Sequence, residues 1–326
     1  METAQAQIAP KSNWAGRLVK SVRGSGGALL GLIVLIVVLA IIAPNFATQR
    51  NVLNILDQVT TLGIVALGGT AIIITGGIDL SVGSVLALST MVLGWLSHDG
   101  GWPMWAAMLA AVATGMVCGV VNGIGVTVAK LPPFIATLAM MSIARGLANL
   151  ITDGQQIVGY PQWFFNLSSS RMLGIFSVTL ITLIAIYVCG AIWLRYRASG
   201  RSLYVIGGGE EVARLAGIRV RKIVTSAYAL AGALAGIAGI VLATRLDSSQ
   251  PSAGTGLELD VIAAVVIGGA SLTGGIGRVS GTVVGVLIIG VLRNGLNLLG
   301  VSPFIQSILI GFVIAGAVMA DVLKRK

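Results

Sequence analysis

Charged residues are scarce in this chain: Asp, Glu, Lys and Arg together make up only 10% of its 326 residues. A soluble domain carries about 25%, whereas here 56% of the residues are hydrophobic and the mean hydropathy is +0.96. This shortage of charge excludes a soluble protein. The net charge of +10 does not indicate a nucleic-acid partner, because the basic residues occur in short segments between apolar runs and form no continuous stripe. The composition predicts a protein embedded in the lipid bilayer.

Histidine and cysteine are nearly absent as well. The single histidine, His98, excludes metal sites built from several histidines. Cys118 and Cys189 lie in apolar runs without metal-ligand spacing, so we expect two core residues and no disulfide. The sequence contains no G-x-x-x-x-G-K-[ST] phosphate loop. We therefore expect no enzymatic activity, no metal and no cofactor bound by this chain.

Long apolar runs are abundant. A helix needs about 20 largely apolar residues to cross a bilayer, and about ten runs are candidates. They lie at 27–43, 60–75, 81–96, 104–128, 134–151, 173–194, 223–244, 259–273, 279–299 and 303–320. The first run is longer than a signal-peptide core of about 7–15 residues and has no cleavage site, so we expect it to stay. The sequence predicts an all-α membrane bundle of about ten spans, or eight or nine if the runs around 60–96 and 259–299 do not all cross.

The distribution of basic residues predicts the orientation of the bundle. With ten spans and an internal N-terminus, 16 of the 21 Lys and Arg residues fall in cytoplasmic segments, as the positive-inside rule requires. We therefore expect both termini to be cytoplasmic. The predicted organisation is an N-terminal cytoplasmic tail, 1–26, and one transmembrane domain, 27–326, whose largest cytoplasmic loop is 195–222.

The stretch TGGIDLSVGS, residues 75–84, places two glycines and a carboxylate inside a very apolar region. We expect the glycines to end one helix, and the aspartate and first serine to satisfy the free N–H groups of the next helix. Irregular backbone at membrane depth survives only against protein or a water-filled cavity, so these residues are also candidates for the translocation path. They are Thr75, Gly76, Gly77, Asp79 and Ser81. The motif TGGI recurs at 273–276, which suggests a second break.

Five arginines lie apart from the predicted cytoplasmic segments, and one of them, Arg293, stands near the end of a predicted span. Arg145 falls inside a predicted span, where two interpretations stay open: structural pairing with an acid or a carbonyl, and contact with a substrate on the translocation path. Arg50, Arg171 and Arg245 fall in predicted outer segments, where they are candidates for docking an external partner or are simply solvated.

The longest predicted cytoplasmic loop contains EEVARLAG, which reads as a short helix. Glu210 and Glu211 stand at its start, where the helix dipole favours anions, and Gly217 stands where a helix stop is expected. Val212, Leu215 and Ala216 are spaced i, i+3, i+4 and form one apolar face. Such a face either lies on the lipid surface or fits a groove of a partner protein.

The segment GGGEEVARLAGIRVRKI resembles the coupling loop of ABC-transporter permeases, where a short helix docks on the ATPase. The stretches TGGIDLSVGSVLALS, PPFIATLAMM and NGLNLLGVS resemble the permeases of ribose-type monosaccharide importers, and the similarity runs from about Asn45 to the C-terminus. This resemblance implies a type II ABC-importer-like fold in the bacterial inner membrane. Its implied function is import of a monosaccharide, a ribose-like pentose or a hexose.

The same resemblance implies partners and a coupling site. The implied partners are a cytoplasmic ATPase of the tandem sugar type that binds the ATP, a periplasmic sugar-binding protein and a second permease copy. Glu210, Leu215 and Gly217 fall on the coupling pattern, whereas Glu211 and Val212 stand where small residues are more usual. The implied coupling residues are Glu210, Glu211, Arg214, Leu215 and Gly217.

Three alternatives remain open. The first is a permease of the same architecture that carries nucleosides or branched-chain amino acids. An ion-coupled secondary transporter is disfavoured because only Asp79 is expected near the membrane interior; Asp260, at the edge of the run 259–273, is assigned to the outer side. A membrane enzyme is disfavoured because no catalytic constellation occurs in the sequence.

Overall fold

In a computed structural model, which describes residues 25–323, nearly all regular structure is helical, so the all-α prediction is confirmed. The helices are α1 (Ser25–Ile42), α2 (Gln49–Ile74), α3 (Val82–His98), α4 (Met104–Thr127), α5 (Pro133–Leu150), α6 (Gln162–Ser169), α7 (Val178–Tyr196), α8 (Ala198–Gly208), α9 (Glu210–Leu215), α10 (Val220–Leu246), α11 (Leu257–Ile267), α12 (Val279–Leu298) and α13 (Pro303–Leu323). Two short strands, β1 (Ile157–Val158) and β2 (Ser248–Ser249), pair antiparallel. The predicted N-terminal tail lies almost entirely outside the described residues.

Six helices in residues 25–323 are long and apolar enough to cross a membrane: α2, α4, α5, α7, α10 and α12. Shorter apolar stretches lie in α1, α3 and α13. The predicted span over 259–273 is wrong in its extent, because α11 has only 11 residues. A helix of that length reaches about 16 Å, roughly half of the 30 Å hydrocarbon layer. It ends at Ile267 because a glycine pair follows, and Gly269 adopts a φ of +92°.

The centre of the bundle is formed by α2 and α10, which are the most buried of the membrane-length helices. Helix α2 begins at Gln49, eleven residues before the predicted run, because its first turns are polar and hydropathy does not detect them. The Thr48 side chain caps it by accepting a hydrogen bond from the backbone N–H of Asn51 at 3.3 Å. The buried side-chain amides of Asn51 and Asn294 exchange two hydrogen bonds of 2.9 Å and join α2 to α12.

Small residues allow the helices to approach closely. Gly115 and Gly119 of α4 lie directly against the α10 backbone, at Gly232 and Tyr228 respectively. In α12, Gly281 and Gly285 lie against backbone atoms of Gly268 and Ala264 in the same way. Without a hydrophobic driving force in lipid, such close packing is what holds membrane helices together. Glycines spaced four apart therefore form the grooves in which these neighbouring helices pack.

Candidate functional site

Helix α2 ends in the TGGI motif, as the sequence predicts. The backbone N–H of Gly76 donates to the Ile73 carbonyl oxygen at 2.9 Å, and that of Gly77 donates to the Ile72 carbonyl oxygen at 3.1 Å. This pair of bonds is a Schellman motif, which needs a left-handed residue at its turn. Gly76 supplies it with a φ of +80°. The chain then runs without helical structure until α3 begins at Val82.

Asp79 supports the next helix in a way that differs from the predicted cap. Its Oδ1 accepts two hydrogen bonds from Ser81, one from the backbone N–H at 2.8 Å and one from the hydroxyl at 2.6 Å. Ser81 is the N-cap residue of α3, but its side chain makes no capping bond to the helix. The Asp79 side chain therefore closes a local turn before the helix and does not satisfy helical N–H groups. The Ser81 hydroxyl is also an acceptor for the Asn122 amide of α4, at 2.9 Å.

A threonine of α5 holds the same break from the other side. The Thr137 hydroxyl accepts a hydrogen bond from the Leu80 N–H at 3.1 Å and lies 3.3 Å from the Ile78 carbonyl oxygen. Because Asn122 and Thr137 are buried, these bonds satisfy backbone and side-chain groups that water does not reach. Sequence reasoning did not identify either residue, although each is a polar side chain inside a long apolar run.

The two TGGI motifs meet in space. The backbone N–H of Gly275 donates to the carbonyl oxygen of Ile74 at 2.8 Å, and Gly76 packs on the backbone of Thr273. Gly207, near the end of α8, lies against backbone atoms of Ile74 and Gly275. We call this contact of three chain segments the glycine junction. The suggested second break is confirmed, since 268–278 is not helical.

The loop between α7 and α10 folds into two short helices, α8 and α9, and α9 is the predicted EEVARLAG helix. Its end is also a Schellman motif, in which the Ile218 N–H donates to the Ala213 carbonyl oxygen and the Gly217 N–H to the Arg214 carbonyl oxygen, each at 3.0 Å. Gly217 has a φ of +76°, so the predicted helix stop is confirmed.

Helix α9 has one anchored side and one exposed apolar side. Ala213 is fully buried in a cluster with Ile72 of α2 and Tyr228 of α10, next to the first break. On the opposite side Leu215 is 82% exposed and Val212 is 64% exposed. The apolar face predicted from the i, i+3, i+4 spacing therefore exists and points away from the protein.

The charged residues of α9 are mainly solvated. Glu210 lies 3.9 Å from Lys130 Nζ and 3.5 Å from Arg214 Nη2, while Arg214 Nη1 lies 3.7 Å from a Glu211 carboxylate oxygen. More than half of each of these side chains is exposed, and ion pairs of this kind contribute little to stability. A cavity of about 390 Å³ separates Glu210 from Thr75–Gly77, so the start of α9 faces the first break.

Arg145 binds backbone carbonyl groups, which is the structural alternative considered from the sequence. Its Nη1 donates to the carbonyl oxygens of Pro251 and Ala253, the latter at 2.9 Å. The segment after β2 thereby folds back into the bundle, where Gly254 packs against Gly83 of α3. Tyr160 anchors β2 through a 2.6 Å hydrogen bond to Ser249, and burial raises the pKa of this tyrosine to about 12, so its hydroxyl stays neutral.

The three arginines considered for docking lie at the end of the bundle opposite α9. Arg171 forms an ion pair with Asp57, and both side chains are about four-fifths buried. Arg50 is exposed and lines a cavity of about 770 Å³ together with both partners of that pair. Arg245, in the last turn of α10, interacts electrostatically with Asp57. Arg171 is therefore engaged within the chain, and Arg50 is the most accessible of the three.

The structure contains a second buried acid, Asp260, which the sequence analysis placed on the outer side of the bundle. Asp260 lies in the first turn of α11 with its side chain 8% exposed. It forms a two-pronged ion pair with Arg293 of α12, through Nε to Oδ2 at 2.9 Å and Nη2 to Oδ1 at 2.8 Å. Within residues 25–323, no group of three or more His, Cys, Asp or Glu side chains is arranged to hold a metal ion.

These features define a polytopic α-helical membrane protein with broken helices inside the bundle and a short amphipathic helix on one end. The chain belongs to the family described as branched-chain amino acid transport system / permease component, whose match covers residues 51–318. It is a multi-pass protein of the inner membrane.

Individual relatives resemble the chain over almost its full length. It is 46% identical over 297 residues to the ribose import permease protein RbsC of Bacillus subtilis (strain 168), covering 90% of this chain and 92% of that protein. It is 38% identical over 322 residues to the L-arabinose transport system permease protein AraH of Escherichia coli (strain K12), covering 98% and 95%. Identity to the D-allose transport system permease protein AlsC of the same strain is 36% over 301 residues, covering 92% of each chain.

Proposed function

We propose that this chain is the membrane permease subunit of an ATP-driven importer of a monosaccharide. Its relatives named above serve the transport of ribose, L-arabinose and D-allose, and the chain matches them over nine-tenths of its length or more. The structural observation that carries the proposal is the exposed apolar face of α9 on a helix anchored beside the first break. A monosaccharide of five or six carbons is the proposed cargo.

The proposed protein partners bind at the two opposite ends of the bundle. A cytoplasmic ATPase, proposed to be of the tandem sugar type, docks on α9 and binds the ATP, so no cofactor is held by this chain. A periplasmic sugar-binding protein docks at the opposite end, where Arg50 is accessible. A second copy of the permease completes the pathway, in line with the symmetry usual for such assemblies.

We propose ten membrane crossings with both termini in the cytoplasm. The eighth crossing combines the segment after β2, which forms a series of turns, with the short helix α11. Two contacts support this arrangement: Gly254 reaches Gly83 at the start of α3, and the loop after α11 reaches Gly76 at the end of α2. Discontinuous helices of this kind are typical of transporters, where they line the substrate path.

The glycine junction gives a route for coupling. ATP-driven movement of the ATPase displaces α9, whose buried Ala213 contacts Ile72. The adjoining α8 carries Gly207, which touches both breaks. A displacement of the loop is therefore transmitted through backbone contacts to the end of α2 and to the loop between α11 and α12. We propose that Asp79, Ser81, Asn122 and Thr137 form the hinge that rearranges when the path opens inward.

Docking at α9 is tested by Leu215→Asp. The matched control is Leu173→Asp, because Leu173 is 91% exposed and lies in the loop before α7 at the opposite end. We expect Leu215→Asp to abolish co-purification of the ATPase from membranes, whereas Leu173→Asp retains it. Equal retention of the ATPase by both variants would show that α9 is not the docking helix.

The cargo is tested by uptake into proteoliposomes containing the permease, the ATPase and the binding protein. We expect ATP-dependent accumulation of a labelled monosaccharide from a panel of ribose, L-arabinose and D-allose. Accumulation of leucine or of a nucleoside instead would replace the proposed cargo. Uptake that persists without ATPase but stops when the proton gradient is dissipated would indicate an ion-coupled transporter.

A further inference from the structure

A groove of about 1010 Å³ lies between α2, α7 and α12, away from the helix breaks. Most of its wall is aliphatic, including Val59, Leu183, Val188, Val283 and Leu287. Tyr187 contributes a hydroxyl, but that hydroxyl already donates to the Gly63 carbonyl oxygen at 2.9 Å. A sugar would leave most of its hydroxyl groups without hydrogen-bond partners here, which is costly. The aliphatic wall therefore favours the hydrocarbon chains of a lipid over a sugar.

One end of the groove is cationic. Arg195, in the last turn of α7, and Arg278, just before α12, line that end together with Tyr204 of α8. Within residues 25–323, no carboxylate oxygen lies within 4.0 Å of either guanidinium group. Arg195 stacks over the Tyr196 ring at 5.3 Å from its centroid, which leaves its N–H donors available. The protein therefore presents two positive charges without an acidic counterpart.

The dimensions match one leaflet of a bilayer. From Leu183 to Arg195 the wall formed by α7 is about 18 Å long, at 1.5 Å per residue. Half of the hydrocarbon layer is about 15 Å thick. The cationic end lies beside α8, so with the proposed orientation it is at the cytoplasmic surface, where anionic headgroups concentrate.

We propose that this groove binds an anionic phospholipid of the cytoplasmic leaflet. Its acyl chains lie along α2, α7 and α12, and its phosphate accepts hydrogen bonds from Arg195 and Arg278. An arginine fork matches the oxygens of a phosphate group, and basic pockets between helices are a common form of lipid site. The chain's own N-terminal residues fit this groove less well than an anionic lipid does. They carry four basic side chains and one acid before position 25, so the two arginines of the groove would repel them.

The test measures lipid binding to the full-length protein, delipidated in detergent, by native mass spectrometry. Phosphatidylglycerol and phosphatidylcholine are titrated separately. The variant is Arg195→Gln/Arg278→Gln, and the matched control is Arg197→Gln/Arg201→Gln, which removes two exposed arginines from the same loop that do not line the groove. We expect the first variant to bind phosphatidylglycerol about thirtyfold more weakly, since each arginine near the surface contributes about a fivefold factor. The control retains wild-type affinity.

A second variant, Val188→Trp, obstructs the groove without changing its charge. We expect it to weaken phosphatidylglycerol binding as well, while the melting temperature of each variant stays near that of the wild type. Equal affinity of wild type and Arg195→Gln/Arg278→Gln, or equal affinity for the two lipids, would overturn the proposal. Cross-linking between two copies through Val188→Cys would also overturn it, by showing that a second permease covers the groove.

Discussion

Replacing Gly207 by alanine is the most direct test of the glycine junction. A Cβ atom at this position would approach the Ile74 carbonyl oxygen and the Gly275 nitrogen to well below 3.0 Å, a separation that real Cβ atoms essentially never show. Both obstacles are backbone atoms, so no side-chain rotation relieves the overlap. Helix α8 has to move away from the end of α2 and from the loop between α11 and α12, or these two segments have to separate.

The expected cost has two parts. Overpacking of a well-packed contact costs about 1–3 kcal/mol. Separation of the two TGGI motifs also breaks the 2.8 Å hydrogen bond from the Gly275 N–H to the Ile74 carbonyl oxygen, which contributes about 1 kcal/mol. We therefore expect Gly207→Ala to lower the free energy of unfolding by roughly 2–4 kcal/mol and to uncouple α8 from both breaks.

Gly208→Ala is the matched control. Gly208 is the next residue of the same helix, and nothing lies within 4 Å of a Cβ built there. Thermal unfolding in detergent and ATP-dependent uptake in proteoliposomes are measured for both variants. We expect normal uptake and wild-type stability for Gly208→Ala, and a lower melting temperature with strongly reduced uptake for Gly207→Ala. If the two variants have equal stability and equal uptake, the junction does not transmit movement and the coupling argument fails.

Three further changes test the polar contacts inside the bundle. Thr137→Val keeps the shape of the side chain but leaves the Leu80 N–H without its acceptor. We expect the free energy of unfolding to fall by about 1–3 kcal/mol, measured as a lower melting temperature. Ser142→Val, at an exposed position of the same helix, is the control. Arg145→Met removes two hydrogen bonds to the segment after β2, and we expect faster proteolysis of that segment at unchanged helix content. Asp260→Asn leaves Arg293 without its counter-charge. We expect a cost of about 3 kcal/mol, the low end for a broken buried pair because Arg293 is 32% exposed. Asp260→Asn/Arg293→Gln recovers part of the loss, and no recovery would contradict this pairing.

Hydropathy predicted the location of the helices better than their ends. The run at 104–128 corresponds to α4 within one residue at its C-terminal end, because its flanks change abruptly to Pro and Lys. By contrast, α2 starts eleven residues before its predicted run, since Asn51 and Asp57 are helical but polar. Their partners, Asn294 and Arg171, are more than one hundred residues away along the chain. Sequence periodicity does not reveal such long-range pairs, and therefore does not predict polar helical turns.

The candidate site shows the same division between local and distant information. Gly76 and Gly217 were predicted as helix stops because the Schellman motif is set by nearby residues. Asp79 was predicted to cap a helix, but its distance to Ser81 is set by a turn that also depends on Asn122 of another helix. Thr137 carries no local signal that it binds the break. Residues that close a tertiary contact have to be found in the folded protein.

The repeated TGGI motif has both a local role, in a turn, and a long-range role, in a contact between distant segments. Each copy contains a turn, since Gly76 and Gly274 both adopt positive φ, at +80° and +86°, but only the first copy directly ends a helix. Only in the fold do the copies bond to each other through Gly275, with Gly207 lying against both. Three backbone segments approach this closely only where side chains are absent, so the glycines serve the contact as well as the turns. We propose that this contact transmits a displacement of the α8–α9 loop to both breaks at once, because Gly207 touches the backbone of each.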